Sequence, residues 1–128
     1  MNSQIKIHNY KELKFWKTAF QVTLMVVKLS EKFPNKRVYW IIADQLIRAA
    51  SSVGANIAEG FGRFHKKEKQ KFYYNARGSL YESIHWTDKS RARKLITPDQ
   101  DKYIYARLDK LPREINWLIK ITEVKLKM

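Results

Sequence analysis

Residues 41–63 read IIADQLIRAASSVGANIAEGFGR, and apolar side chains recur within them at steps of three and four. That spacing is typical of an α-helix with one buried face. The apolar stripe consists of Ile42, Leu46, Ala49, Val53, Ile57 and Phe61. A row of small residues lies beside it, namely Ala43, Ala50, Gly54 and Ala58. Such a row allows a neighbouring helix to approach closely. Gly60 and Gly62 can adopt positive φ, so we predict that this helix ends there.

The same helix carries polar side chains at helical spacing, and they allow two interpretations. The polar residues are Asp44, Arg48, Ser52, Asn56, Glu59 and Arg63. One interpretation is a solvated face with local ion pairs. The other is a partly buried hydrogen-bonded network, because Ser and Asn are poor helix formers on a surface. We predict the network, in which Glu59 pairs with Arg77 or Arg48. Its members would be Arg48, Ser52, Asn56, Glu59, Arg77, Ser79 and Glu82.

Three further segments predict helices of similar length. The four predicted helices span residues 10–33, 38–60, 66–94 and 98–126. Asn9 and Glu12 form a capping pair before the first helix, and Thr97 followed by Pro98 is a start signal for the last. Pro112 should bend the last helix, because proline has no backbone N–H. Short loops favour antiparallel neighbours, so we predict one all-α domain over residues 1–128, an up-down-up-down four-helix bundle.

The first predicted helix has two apolar stripes. One consists of Leu13, Trp16, Phe20, Leu24 and Val27, and the other of Phe15, Ala19, Val22, Val26 and Leu29. A helix that is apolar over more than half its circumference needs two packing partners. Either the helix is central in a monomer, or one stripe contacts another subunit. We assign the stripe that contains Phe15 to an oligomer interface.

Charge is the strongest signal in the composition. The chain holds 26 Lys and Arg against 12 Asp and Glu, a formal net charge of +14. The excess is concentrated in residues 1–40, with 8 basic and 2 acidic side chains, and in residues 65–95, with 9 and 3. Such a surface attracts polyanions. There is no cysteine, which excludes disulfides, and no apolar run reaches the ~20 residues of a membrane span, so we expect a cytoplasmic protein.

No motif in the sequence indicates catalysis or a cofactor. The histidines His8, His65 and His85 show no HExxH spacing, and no paired Glu-x-x-His motif is present. Gly60 and Gly62 follow no predicted strand, so helix termination explains them better than a phosphate loop. We predict no enzyme, no metal and no cofactor. A hydrolase that uses a glutamate and a histidine is the remaining enzymatic alternative.

Basic and aromatic residues alternate along the third predicted helix. Cations neutralise phosphates and aromatic faces stack on unpaired bases, so the combination favours RNA or single strands. The predicted contacts are Arg63, Lys66, Lys67, Lys69, Lys71, Tyr74, Arg77, Lys89, Arg91, Arg93 and Lys94. A merely solubilising face is the simpler alternative. Binding to a membrane surface is disfavoured, because the basic faces do not adjoin an exposed apolar face.

Four segments together resemble a known family. They are YKELKFWKTAF, QLIRAASSVGA, NIAEGFGR and FYYNARGSLYES, which lie between Tyr10 and Thr97. They resemble the bacterial four-helix-bundle proteins encoded in intervening sequences of large-subunit ribosomal RNA genes. Gly54 and Ala55 stand where such proteins often have a proline. The resemblance implies a homopentameric barrel with a basic surface and no enzymatic activity. It also implies a relation to the accessory protein of diversity-generating retroelements, which binds nucleic acid and a reverse transcriptase.

The residues and the resemblance lead to one functional prediction. We expect a non-enzymatic, basic homo-oligomer, pentameric by the resemblance, that binds RNA or DNA through phosphate contacts with little readout of the bases. The alternative is a protein-interaction scaffold whose positive surface docks an acidic partner or a reverse transcriptase.

Overall fold

The computed structural model describes residues 7–125, apart from the side chains at 124 and 125, and forms helices without a strand in that part of the chain. A short 3-10 turn at Tyr10–Glu12 precedes five α-helices. Their bounds are α1 Lys14–Ser30, α2 Arg37–Gly62, α3 Lys66–Ala92, α4 Pro98–Leu108 and α5 Leu111–Lys125. Because α4 and α5 follow each other as two halves of one rod, the architecture is the predicted all-α four-helix bundle.

Contacts at the helix ends show that neighbouring rods are antiparallel. The end of α2 meets the segment before α1, where the rings of Tyr10 and Phe61 pack edge to face at 6.2 Å. The start of α3 meets the end of α5, since Nζ of Lys66 donates to the carbonyl of Glu123 at 3.1 Å. Each helix pair that is adjacent along the chain therefore packs side by side, and the up-down-up-down topology is confirmed.

The fourth rod begins as its residues predict, but it breaks into two helices where only a bend was predicted. Thr97 forms a capping box, because its hydroxyl accepts from the amide of Gln100 at 3.1 Å while its own amide donates to the Gln100 side chain at 2.8 Å. The α-helix then ends at Leu108 and resumes at Leu111. Pro112 cannot donate to the carbonyl of Leu108, which explains the break rather than a mere bend.

The first helix is shorter than predicted at both ends. Asn9 does accept a hydrogen bond from a backbone amide, that of Lys11 at 2.9 Å, but it caps only the 3-10 turn. Leu13 then has extended backbone angles, so α1 begins at Lys14 instead of residue 10 and ends at Ser30 instead of residue 33. A capping residue identifies a helical turn and does not show which type of helix follows.

The assignment of the two stripes of α1 is wrong. Phe15, Ala19, Val22 and Val26, predicted to form the oligomer interface, are all at most 5% exposed and lie in the core of the protomer, with Leu29 partly buried against it. In the other stripe Leu13 is also in the core and Trp16 packs against it, but Phe20, Leu24 and Val27 face outward and remain 49%, 56% and 36% exposed. The buried stripe contains an alanine and two valines, so α1 can approach the bundle axis more closely on that side than on the side with a tryptophan and a phenylalanine.

The row of small residues on α2 receives α1, as the sequence predicts for a close neighbour. The hydroxyl of Thr23 donates across the interface to the carbonyl of Ala50 at 3.0 Å. A Cβ added at Gly54 would lie only 3.2 Å from Nε1 of Trp16. These contacts hold the two helices close together and fix the rotation of α1 about its axis.

Gly60 does not end α2, which is a second correction. The helix continues to Gly62, and no glycine of the described residues has positive φ. Gly60 instead makes room for the buried ring of Tyr73 on α3, since a Cβ there would lie 2.6 Å from Cε1 of that ring. The positive φ occurs at Lys94, with φ 60°, just after α3.

Candidate nucleic-acid interface

The polar residues of α2 form local pairs on a solvated surface and not the predicted network. Arg48 bonds Asp44 at 3.0 Å, with 73% and 58% of the two side chains exposed. Glu59 pairs with Arg63 at 2.7 Å, one turn away, and not with Arg77 or Arg48. Exposed pairs of this kind contribute little to stability. The network prediction is therefore wrong in its central pair.

Two further members of the predicted network, Ser52 and Asn56, bond within their own helix. The hydroxyl of Ser52 donates to the carbonyl of Arg48 at 2.7 Å, and the amide of Asn56 donates to the carbonyl of Ser52 at 2.8 Å. On α3, Glu82 is exposed, and the carbonyl of Ser79 accepts from the hydroxyl of Ser83 at 2.8 Å. Carbonyls four residues earlier satisfy the side chains of Ser52 and Asn56, so these two short side chains need no partner on another helix.

Two of the predicted nucleic-acid contacts hold the turn between α2 and α3 together. Lys69 donates to the carbonyl of Phe61 at 2.9 Å, which the end of α2 leaves without a helical partner, and to that of Gly60 at 3.4 Å, which also accepts from the amide of Arg63. Burial lowers the pKa of the Lys69 ammonium. Arg63 contacts Glu59 and also Glu68 at 4.0 Å, and its guanidinium lies 4.8 Å from the ring of Phe72. We therefore assign both cations to the fold.

Two more of the predicted contacts join α3 to α5. Arg77 donates to Oδ1 of Asn116 at 2.7 Å, and its guanidinium lies over the ring of Tyr74 at 4.8 Å. Lys66 donates to the carbonyl of Glu123. Both keep their charge near the surface while they hold neighbouring rods. The exposed cations Lys67 and Lys71 are the predicted contacts at this end that make neither an ion pair nor a side-chain hydrogen bond among the described residues.

A row of exposed aromatic and basic residues runs along α3, and we call it the outer face of α3. It consists of Lys67, Lys71, Tyr74, Gly78 and Tyr81, with Phe64 in the turn before the helix. The rings of Phe64, Tyr74 and Tyr81 are 85%, 49% and 56% exposed. A seven-residue separation places Tyr74 and Tyr81 about 10 Å apart along the helix. No atom lies within 4 Å of a Cβ built at Gly78, so the surface between the two rings is open.

Phe64 is, with Tyr81, a ring of this row that the predicted contacts omit. It follows the last apolar position of α2 and was not distinguished from core residues by periodicity. The signal that could have found it is its place between Arg63 and His65 in a turn, where a large apolar side chain has no helix face to join.

The second basic cluster lies at the other end of α3. It consists of Lys89, Arg91, Arg93 and Lys94. The 27 residues of α3 span about 40 Å, so this cluster is far from Lys67. Its backbone closes the helix, because the amide of Leu95 donates to the carbonyl of Ser90 at 2.9 Å while Lys94 adopts positive φ. Cations there also interact favourably with the negative end of the helix dipole. The structure thus divides the predicted contacts between two ends of the bundle.

α1 and α2 share an exposed apolar surface that was not predicted from the sequence. We call it the α1–α2 apolar face. Trp16 and Phe20 stack with ring centroids 5.2 Å apart at 21°. They border a hollow of about 310 Å³ whose other side is formed by small residues of α2. Those small residues are Ser51, Gly54, Ala55 and Ala58. Leu24 and Val27 continue the apolar surface along α1.

The described part of the chain contains neither a cluster of metal ligands nor a membrane-spanning helix. Among those residues, no group of three or more His, Cys, Asp or Glu side chains could hold a metal ion. None of the helices in the same part is both long and apolar enough to cross a membrane.

Comparison with known proteins places the chain in a family. A family model described as 23S rRNA-intervening sequence protein matches residues 11–117. The chain belongs to this family. The match continues into α5, beyond the four segments on which the sequence resemblance depends. The relation to the accessory protein of diversity-generating retroelements stays a prediction.

A solved structure shares the fold. It is a protein with unknown function from the S23 ribosomal protein family of Bacteroides thetaiotaomicron, with a TM-score of 0.75. At 19% sequence identity, the alignment covers 83% of this chain and 98% of that chain. Comparison with curated proteins finds no match. Neither the description of the family nor that of the structural relative names an enzymatic activity.

Proposed function

We propose that this family member is a non-enzymatic, homo-oligomeric protein of the cytoplasm that binds single-stranded RNA or DNA along the outer face of α3. One observation carries the proposal. The rings of Phe64, Tyr74 and Tyr81 are about half exposed or more, and they lie on the same face as Lys67 and Lys71. Exposed aromatic surface is unfavourable in water, and a stacked base covers it; on Tyr74 the guanidinium of Arg77 occupies one face of the ring. Lysines on the same side are placed to neutralise the phosphates of the same strand.

The chemistry of the outer face of α3 favours binding with little discrimination between bases. Each base that stacks on an aromatic side chain contributes about 1–3 kcal/mol, and every base has a face that can stack. The open surface at Gly78 leaves room for the backbone of a strand that contacts both Tyr74 and Tyr81. Lysine contacts phosphate as a point charge and reads no sequence. We therefore propose that the outer face of α3 binds single-stranded RNA and single-stranded DNA alike.

Homo-oligomerisation is supported by the α1–α2 apolar face. Contiguous exposed apolar surface of this kind marks interaction sites on soluble proteins. We propose that the face packs against a second copy of the chain, and the pentameric state follows from the sequence resemblance. A ring would present several copies of the outer face of α3 to one nucleic acid, so that binding at one site raises the effective concentration at the next.

Replacement of one exposed tyrosine tests the binding proposal. Tyr81→Ala should weaken binding of a fluorescein-labelled single-stranded RNA by roughly 5- to 150-fold, since one stacked base is lost. Fluorescence anisotropy at low salt measures the affinity. Tyr105→Ala is the matched control, because Tyr105 is similarly exposed at 47% but lies on α4.

Two results would contradict the proposal. Equal losses in the Tyr81 and Tyr105 variants would show that the outer face of α3 is not the binding surface. A wild-type protein without affinity for RNA or DNA at low salt would favour the alternative, a scaffold that docks a protein partner.

A further inference from the structure

The start of α2 and the end of α3 enclose a second apolar hollow, of about 520 Å³. Its lining includes Val38, Ile41 and Ile42 from α2 and Trp86, Lys89 and Arg93 from α3. Ile42 is buried and forms the floor, while Val38 and Ile41 are 47% and 52% exposed at the rim. Val38 and Ile41 belong neither to the core nor to the outer face of α3, so their exposed side chains are open to a ligand.

Positive charge surrounds this hollow. Residues 36–42 and 86–95, which bring the lining residues, hold six basic side chains and one acidic side chain, that of Asp88. No carboxylate is part of the lining. Lys89 and Arg93 contribute both to the wall and to the positive potential. A ligand for this site must therefore combine an apolar group with negative charge around it.

The shape and chemistry of the lining disfavour a nucleobase. The ammonium of Lys89 lies 4.9 Å from the ring centre of Trp86 and covers one face of the indole, and the ring of His85 packs edge to face against the same indole at 5.2 Å. The floor and rim are branched aliphatic side chains, which offer no flat surface for stacking. A Leu, Ile, Met or Phe side chain fits such a hollow better.

We propose that this hollow docks a protein partner through an acidic amphipathic helix. One or two apolar side chains of that helix enter the hollow, and its Asp and Glu residues lie against Lys89, Arg93 and the cations of the adjoining helix ends. This is the way in which amphipathic helices occupy grooves on other proteins, with apolar anchors one turn apart. Complementary charge also speeds the encounter and selects against basic partners. The site is at the opposite end of α3 from Lys67, so it is separate from the proposed nucleic-acid contacts.

A synthetic peptide tests this proposal on the full-length protein. The probe is a labelled amphipathic helix built from Glu, Asp, Ala and Leu, with leucines on one face. It should bind wild-type protein, and Ile41→Glu and Lys89→Glu should each weaken the binding by about tenfold or more. A peptide with serine in place of leucine should bind at least about tenfold more weakly, because charge alone does not fill the hollow.

Controls separate this site from general electrostatic attraction and from the nucleic-acid interface. Lys102→Glu makes the same charge change on α4 and should leave peptide affinity within about twofold. Ile41→Glu should leave RNA affinity unchanged. Circular dichroism checks that each variant is folded. We expect Ile41→Glu to fold, because Ile41 is 52% exposed.

Four outcomes would overturn the proposal. They are no peptide binding to the wild type, equal binding of the leucine and serine peptides, loss of RNA binding in Ile41→Glu, and a change of oligomeric state in Ile41→Glu. The third would assign the hollow to nucleic acid, and the fourth to a second copy of this chain. A failed RNA assay with peptide binding intact would contradict only the function proposed above.

Discussion

At the scale of single residues, contact distances determine the role of Gly60. Its missing side chain makes room for the ring of Tyr73, and a Cβ would lie 2.6 Å from Cε1 and 3.1 Å from the carbonyl oxygen of Lys69. We expect Gly60→Ala to lower the free energy of unfolding by about 1–3 kcal/mol, because the buried ring must shift. Urea denaturation measures the change.

Gly78→Ala is the matched control for this substitution. Gly78 is also helical, but nothing lies within 4 Å of its added Cβ. Alanine should therefore raise the free energy of unfolding by about 0.5–1 kcal/mol through helix propensity alone. Changes of the same sign in the two variants would contradict the account of Gly60.

Tyr73 gives the stability a dependence on alkaline pH. Burial raises the pKa of its phenol from 10.0 to about 12. Between these values the unfolded chain releases the proton and the folded chain keeps it. The free energy of unfolding therefore falls as pH rises, by up to about 2.7 kcal/mol from this group. Below pH 10 the contribution is fully present.

Tyr73→Phe isolates that contribution. The variant should show a shallower loss of stability between pH 10 and pH 12 than the wild type, measured as the difference between their urea unfolding free energies. Since lysines also titrate in that range, the difference between the two proteins is the relevant quantity. Parallel curves would show that the phenol of Tyr73 does not stay protonated in the folded state.

The polar side chains show why residue-level contacts were hard to predict. Glu59 has a basic residue one turn ahead and further cations on the next helix, and the sequence does not determine which partner it meets. Glu59 and Arg63 lie one turn apart on the same helix, so their ion pair costs less side-chain entropy than a pair between two helices. Lys69 is likewise basic in the sequence, yet only the turn geometry brings it to the carbonyls at the end of α2.

At the scale of helices, the sequence predicted features that depend on residues close together in the chain. At Pro112 the sequence predicted only a bend, and the helix breaks there. The start of α4 at Thr97 depends on two hydrogen bonds within four residues, so it could be read from the sequence. The orientation of α1 could not. Its two stripes are similarly apolar, and the contacts that fix its rotation, from Thr23 and Trp16 to the small residues of α2, form only when the two helices pack.

The outward stripe of α1 leads to a prediction on assembly. Leu24→Glu places a charge at the centre of the α1–α2 apolar face, where Leu24 is 56% exposed in the protomer. Loss of one buried leucine costs about 1.5–3 kcal/mol per interface, so the dissociation constant should rise by at least about tenfold. Sedimentation velocity over a range of protein concentrations measures it.

Tyr105→Glu is the control for assembly, because it introduces the same charge at an exposed ring outside the apolar face. It should leave the sedimentation coefficient unchanged. A wild-type protein that stays monomeric at high concentration would exclude homo-oligomerisation through this face.

At the scale of the whole molecule, composition predicted more about the surface than about the site. A net charge of +14 on a short chain requires a basic exterior, and four helical patterns with short loops left the bundle as the natural fold. Which cations are available to a ligand depends on packing: Lys66 and Arg77 join α3 to α5, whereas Lys67 and Lys71 do not. That residues 1–128 form a single domain stays a prediction.

The salt dependence of RNA binding tests the central claim, that the outer face of α3 holds the phosphates of a single strand. The logarithm of the affinity should fall linearly with the logarithm of salt concentration, with a slope of about −0.7 for each phosphate contact. A Lys67→Glu and Lys71→Glu double variant should bind more weakly and with a slope about 1.4 units shallower. A slope that is the same in both proteins, or no affinity of the wild type at low salt, would contradict the claim.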